Sequence, residues 1–234
     1  MTTGQFAISA AGQERLRRAR VLMVGLGGLG CASAPYLARA GVGTLVVCDH
    51  DRVQESNLSR QTLYGSKDIG RLKVEVVNER LVNDGVQTEV VPLPIEIVPG
   101  NLPLLARGCD LIVEGTDNLS ARESINHYAV SAEIPVVFGG AVGWNGFVAC
   151  YSPGRPCFHC MWDGSESPTC SEVGVVGPVV GATGVLQAAE AIKLLLGVGE
   201  SLVGRILLFD GLRATTRSIR IRRKESCPVC AIRT

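Results

Sequence analysis

The chain has 234 residues, 46% of them hydrophobic, and a mean hydropathy of +0.24, enough to bury a sizeable core in one large domain or two small ones. Lysine and arginine number 23 against 22 aspartates and glutamates, a balance that excludes an electrostatic case for a nucleic-acid or anionic-membrane partner. Residues 1–11 hold no basic segment leading into an apolar stretch, and the nine cysteines therefore argue against a secreted disulfide scaffold and toward metal or catalysis. A cytoplasmic location is expected.

In chain order, residues 21–24 form a continuous apolar run, as in strands covered on both faces. The run enters Gly25-Leu26-Gly27-Gly28-Leu29-Gly30 and a helix over 27–40, with Pro35 inside it as a point of kinking. Strand 44–48 follows, then a helix over 67–83, strands at 88–93 and 110–114, a helix over 120–132 and a strand at 135–139. This alternation is a right-handed doubly wound unit. After Gly139 the pattern changes. Strand 146–151 precedes a Pro/Gly/Cys-rich stretch with a polar loop at 165–173, a helix over 179–196, and an antiparallel pair at 205–210 and 215–222. The last reads as a basic edge strand with one wet face. The apolar run 178–199 carries Gln187, Glu190 and Lys193 at helical spacing, so it reads as a buried helix rather than a membrane span. The predicted class is α/β, a Rossmann-like doubly wound mixed sheet with a parallel N-terminal half and an antiparallel C-terminal part. We expect one domain over 1–234, with a nucleotide-binding half (1–140) and a zinc- and partner-binding half (141–234).

Glycines 25, 27 and 30 permit a tight turn, close approach of backbone to phosphate, and packing of helix on strand. Gly28 lies within the same turn, at the helix N-terminus, which adds a positive dipole end. Asp49, 19 residues after Gly30, is placed to accept hydrogen bonds from ribose hydroxyls. These features alone suit NAD, FAD or another adenosine ligand. A nicotinamide enzyme needs no arginine and lysine aimed at a triphosphate, whereas an adenylating enzyme must neutralise charge on the α-phosphate as pyrophosphate leaves. Asn57, Arg60 and Lys73 are spaced for that task after the second strand. Asp117, after the fourth, suits Mg²⁺, which takes few carboxylates plus phosphate oxygens.

Cys157-x2-Cys160 and Cys227-x2-Cys230, with 66 residues between them, make two knuckles that suit a closed, structural, tetrahedral Zn²⁺. His159 is a spacer inside the first. Cys170 lies in the polar loop before a glycine-rich helix start, where a thiolate can be activated; an inert loop cysteine is the competing reading. Cys31, Cys48, Cys109 and Cys150 read as core.

Gly25–Gly30, Asp49-His50-Asp51, Ser56-Asn57-Leu58-Ser59-Arg60-Gln61, Gly70-Arg71-Leu72-Lys73 and Thr116-Asp117-Asn118, with Arg122 and Asn126, resemble the MoeB/ThiF/HesA adenylyltransferases, relatives of the ubiquitin-activating enzymes. The resemblance covers residues 11–230. It implies eight strands, a homodimer, and ATP·Mg²⁺-dependent adenylation of the C-terminal glycine of a small β-grasp protein, ubiquitin-like or a sulfur carrier, ending in Gly-Gly. It also implies that Asp49 binds ribose, that Asn57, Arg60 and Lys73 contact phosphates, and that Asp117 holds Mg²⁺ or faces the α-phosphate. Asp51 is a secondary candidate for the metal or ribose. Gln61, Thr116 and Asn118 complete the implied nucleotide site, with Arg60, Lys73, Asp117 and Cys170 as the catalytic set. The family commonly carries the four-cysteine zinc site, and Cys170 occupies a place where, in some members, a cysteine can form a thioester, an acyl-disulfide or a mixed disulfide during sulfur transfer, and where in others it is dispensable. Any sulfur donor is expected to be a separate protein. The sequence departs from the pattern in having no arginine before Arg15. An NAD(P)-dependent oxidoreductase and a non-catalytic scaffold half of an activating enzyme remain the alternatives.

Overall fold

The computed structural model describes residues 8–161 and 173–231. Helix α1 (Ala10–Arg18) is capped by Ser9, whose Oγ accepts the Gly12 N–H at 3.1 Å. Strand β1 (Arg20–Val24), helix α2 (Gly28–Ala40) and strand β2 (Thr44–Cys48) follow. Helix α3 spans Lys73–Asn83, β3 Glu89–Leu93, α4 Leu102–Leu105, β4 Leu111–Glu114 and α5 Leu119–Ala132. Strands β5 (Val136–Val142) and β6 (Asn145–Tyr151) form a hairpin, and α6 (Phe158–Met161) is a single turn. Helix α7 (Gly177–Leu196) precedes β7 (Arg205–Asp210) and β8 (Thr215–Arg220).

All eight strands form one sheet in the order β3-β2-β1-β4-β5-β6-β7-β8. β3, β2, β1, β4 and β5 pair in parallel, and β5 to β8 pair antiparallel. Successive side chains of a strand point to opposite faces, so Val21 and Met23 join the core under α1, α2, α3 and α7, while Leu22 and Val24 join the one under α4, α5 and α6. Helix α7, although long and apolar enough to span a membrane, packs on α2 and on β5 and β6. It buries Gln187 and Glu190. Pro35 sits inside one continuous α2.

Three readings need correction. The helix expected over 67–83 begins only at Lys73, because Gly70 takes φ +86° and ends a separate 3₁₀ turn, Ser66–Asp68. Strand β5 runs on to Val142, paired throughout with β6. Strand β8 stops at Arg220 and is exposed at all six residues, on both faces rather than one.

Candidate functional site

The pairing register brings the site together. Val24 lies beside Cys48 on one side and Glu114 on the other, so Gly25, Asp49 and Gly115 leave three adjacent parallel strands at the same level. The chain runs outward from β1 through β2 to β3 and then crosses back to β4 on the other side of β1, which makes this the switch point where ligands bind in open α/β sheets.

Gly25 has φ +89°, a conformation that side chains disfavour. A Cβ there would also lie 2.9 Å from the Gly115 carbonyl group. Gly30 closes the turn from the other end, where a Cβ would sit 2.2 Å from Gly25 O. At Gly28 a Cβ would meet Val180 Cγ1 of α7 at 2.2 Å, whereas at Gly27 it would find nothing nearer than Gln61 Nε2 at 3.9 Å. Gly27 is therefore the open side of the turn. Gly30→Ala is expected to force the turn apart at a cost of about 2 kcal/mol, lowering the melting temperature by about 4–8 °C for a chain of this size and weakening nucleotide binding. Parent-like melting and nucleotide affinity would contradict this.

The buried Asp49 uses both carboxylate oxygens: Oδ2 accepts the Leu26 N–H at 2.7 Å and Oδ1 the Asp51 N–H at 2.8 Å. Burial raises its pKa, against the opposing pull of Lys73 and of those two N–H groups. Lys73 opens α3, and its N–H donates to Asp51 O at 3.0 Å. Its buried Nζ lies 2.6 Å from Asp51 Oδ2 and 4.0 Å from Asp49 Oδ2. Asn57 Oδ1 accepts the Gln54 N–H at 3.1 Å, and Arg60 Nη1 donates to Ser56 O at 2.9 Å. The buried Gln61 has an Oε1 without a hydrogen-bond partner among the described residues. Helix α7 starts against this loop, since a Cβ on Gly177 would lie 2.9 Å from Ser59 O.

Beyond β4, Thr116 donates its N–H and Oγ1–H to the buried Glu114 Oε1, at 2.7 and 2.6 Å. Asn118 caps α5, accepting the Ala121 N–H at 3.2 Å. Asp117 between them is exposed and has no hydrogen bond or ion pair among the described residues. Sequence reasoning missed Tyr64, whose hydroxyl donates to Leu26 O at 2.8 Å from beneath the glycine turn. It also missed Gln187, whose Nε2 donates to Glu114 O at 2.6 Å. A polar residue amid the apolar run of α7 was the available signal for the second.

The four knuckle cysteines meet on the far face, each Sγ within 4.8 Å of the others. Cys157 Sγ lies 3.7 Å from Cys227 Sγ, and Cys160 Sγ 3.5 Å from Cys230 Sγ. A tetrahedron with Zn–S bonds of about 2.3 Å has edges of about 3.8 Å, so the cluster fits that ion. Burial pushes the Cys157 and Cys160 thiols up. At Cys227 burial is outweighed by donation from the Cys230 and Val229 N–H groups and from neighbouring thiols, and its pKa falls to about 7. His159 stays outside the cluster. Cys31, Cys48, Cys109 and Cys150 are buried as expected, and burial raises the Cys31 and Cys48 thiols to about 12. Cys170, and the polar loop expected at 165–173 up to residue 172, lie outside the described residues.

Sheet order, glycine turn and carboxyl-edge acids together define a Rossmann-like α/β protein of the nucleotide-handling type. A protein-family profile described as the ThiF family matches residues 3–229. The molybdopterin-synthase adenylyltransferase of Escherichia coli K12 is 39% identical over 223 residues, covering 94% of this chain and 90% of that protein. The sulfur carrier protein ThiS adenylyltransferase of the same strain is 41% identical over 227 residues, covering 95% and 90%. Among solved structures, E. coli MccB with ATP superposes with a TM-score of 0.84 at 25% identity, covering 94% of this chain and 68% of that one. The chain belongs to the ThiF family.

Proposed function

We propose that the chain is an adenylyltransferase that uses ATP to activate the C-terminal glycine of a small carrier protein, ubiquitin-like or a sulfur carrier, ending in Gly-Gly. The observation that carries this is the meeting of glycine turn, Asp49, Lys73 and an unengaged Asp117 at one sheet edge, in a chain whose relatives are adenylyltransferases over nine-tenths of their length.

In this reading Gly25, Gly27, Gly28 and Gly30 admit the phosphates at the α2 N-terminus, and Asp49 takes the ribose hydroxyls. Asn57 has its Oδ1 occupied by Gln54, which leaves its Nδ2 to donate to a phosphate oxygen. Arg60 and Lys73 neutralise the triphosphate, and Gln61, Thr116 and Asn118 border it. Asp117 would hold Mg²⁺, with Asp51 as a second ligand. A carrier carboxylate oxygen attacks the α-phosphorus, the bond to the β-phosphate bridging oxygen breaks, and acyl-adenylate and pyrophosphate result. The catalytic requirement is charge stabilisation in a site already arranged for it.

The acyl-adenylate is then open to a thiol, which would displace AMP. Cys170 is the chain's own candidate, and a separate sulfur donor is the other source. Cys157, Cys160, Cys227 and Cys230 would hold Zn²⁺ as a closed structural site. A single domain over 1–234, a carrier seat in its 141–234 half, a homodimer and a cytoplasmic location belong to the same proposal. An NAD(P)-dependent oxidoreductase would use the glycine turn and Asp49 but leave Arg60, Lys73 and the cysteines without a task. A scaffold role would leave Asp117 without one.

The test is ATP–pyrophosphate exchange with small Gly-Gly-ended proteins from the same genome. Exchange that requires both carrier and Mg²⁺ is expected. Binding of NAD but not ATP would overturn the reading.

A further inference from the structure

Helix α5 carries Arg122 and Asn126 one turn apart on one face, and neither has a part in the chemistry above. The Arg122 side chain nonetheless reaches the turn that bears Asp117, and Asn126 bonds the Phe158 that packs against Arg122. The Arg122 side chain is 11% exposed and that of Glu114 is 0% exposed. Arg122 Nε donates to Glu114 Oε2 at 2.7 Å, and its Nη2 donates to Thr116 O at 2.9 Å and Gly139 O at 2.8 Å. The other carboxylate oxygen of Glu114 takes both Thr116 donors. The guanidinium lies over the Phe147 and Phe158 rings, at 5.3 and 5.5 Å from their centroids. Asn126 Oδ1 accepts the Phe158 N–H at 2.9 Å and so holds the second ring in place.

The consequence falls on one peptide. Thr116 has its N–H, its hydroxyl and its carbonyl oxygen all engaged, and that carbonyl belongs to the peptide bond leading into Asp117. A buried ion pair contributes little to stability by itself, because desolvation offsets its attraction. Charge-assisted, planar hydrogen bonds do restrict geometry. We infer that Arg122, acting through Glu114 and Thr116, is a positioning residue that holds the backbone of Asp117 where its carboxylate meets the metal–triphosphate. The inference rests on the adenylation reading.

The test uses Arg122→Lys and Glu114→Gln in the full chain. An ammonium keeps the charge but cannot reach the three acceptors in the guanidinium plane. For each variant, kcat for carrier-dependent exchange is expected to fall about 100-fold with KM for ATP within about threefold, the signature of lost positioning rather than lost binding. The Mg²⁺ concentration for half-maximal rate should rise about tenfold, and the double variant should be hardly worse than either single one. Without any ligand, hydrogen–deuterium exchange of the segment 115–118 should speed up while that of β1 and β2 stays unchanged. Parent-like kcat and parent-like exchange at 115–118 in both variants would overturn the inference, as would failure of both to fold, which would make the pair structural. A parent protein without carrier-dependent exchange would refute the adenylation reading instead, and the amide exchange would still report on the pair.

Discussion

Asp117→Ala is expected to reduce carrier-dependent ATP–pyrophosphate exchange by about 10³-fold, the scale of losing a main source of transition-state charge stabilisation, with melting temperature and ATP affinity close to those of the parent. The neighbouring carboxylates are already engaged. Both oxygens of Asp49 are taken by backbone N–H groups, one oxygen of Asp51 is paired to Lys73, and both oxygens of Glu114 are taken by Thr116 and Arg122. Asp117 alone stands at this edge with no partner among the described residues. Exposed and unengaged, it has no native contact to lose, so its removal should change stability by no more than about 0.5 kcal/mol. Exchange rates with and without carrier, calorimetric ATP binding and a melting curve decide the matter. Exchange within tenfold of the parent would remove Asp117 from the chemistry, and a large drop in melting temperature would show that it does structural work instead.

The second large effect concerns the cysteines. The parent is expected to contain one zinc per chain by elemental analysis, and Cys227→Ser to lose it together with a drop in melting temperature of more than about 10 °C. A structural zinc site supplies about 10–16 kcal/mol of apparent binding free energy, comparable to the whole stability of an ordinary domain, about 5–15 kcal/mol. The Cys160–Cys230 and Cys157–Cys227 sulfurs, 3.5 and 3.7 Å apart, are well beyond the roughly 2.05 Å of a disulfide, so the ion is what would hold them. The site joins the chain just past β8 to the turn after β6, and Asn126 extends the connection by donating to Cys157 Sγ at 3.7 Å. A metal-free parent with the same melting curve as Cys227→Ser would sink this expectation.

Each site element found from sequence was found by short-range pattern. The glycine turn is recognisable because strand, tight turn and helix start follow one another without interruption. Asp49 is recognisable because it ends the next strand. The paired cysteines are recognisable because two residues between thiols form a knuckle wherever it lies. The start of α3 was misplaced because helical periodicity continues back through 67–72. Only the positive φ of Gly70, and the Lys73 N–H bonded to Asp51 O, show that the helix begins at the lysine.

Sequence alone therefore determined the fold class, the family pattern, the glycine turn and the cysteine tetrad, since all of these depend on local spacing and on side-chain chemistry. The tertiary structure decided which polar groups are already paired and which remain free. The Lys73–Asp51 pair bridges 22 residues and Gln187 reaches Glu114 across 73. No periodicity records such pairs, because they arise where parallel strands in register bring Gly25, Asp49 and Gly115 level with one another and two layers of helices exclude water around them. There a buried charge needs a partner, and the packing of the sheet settled which residue that would be.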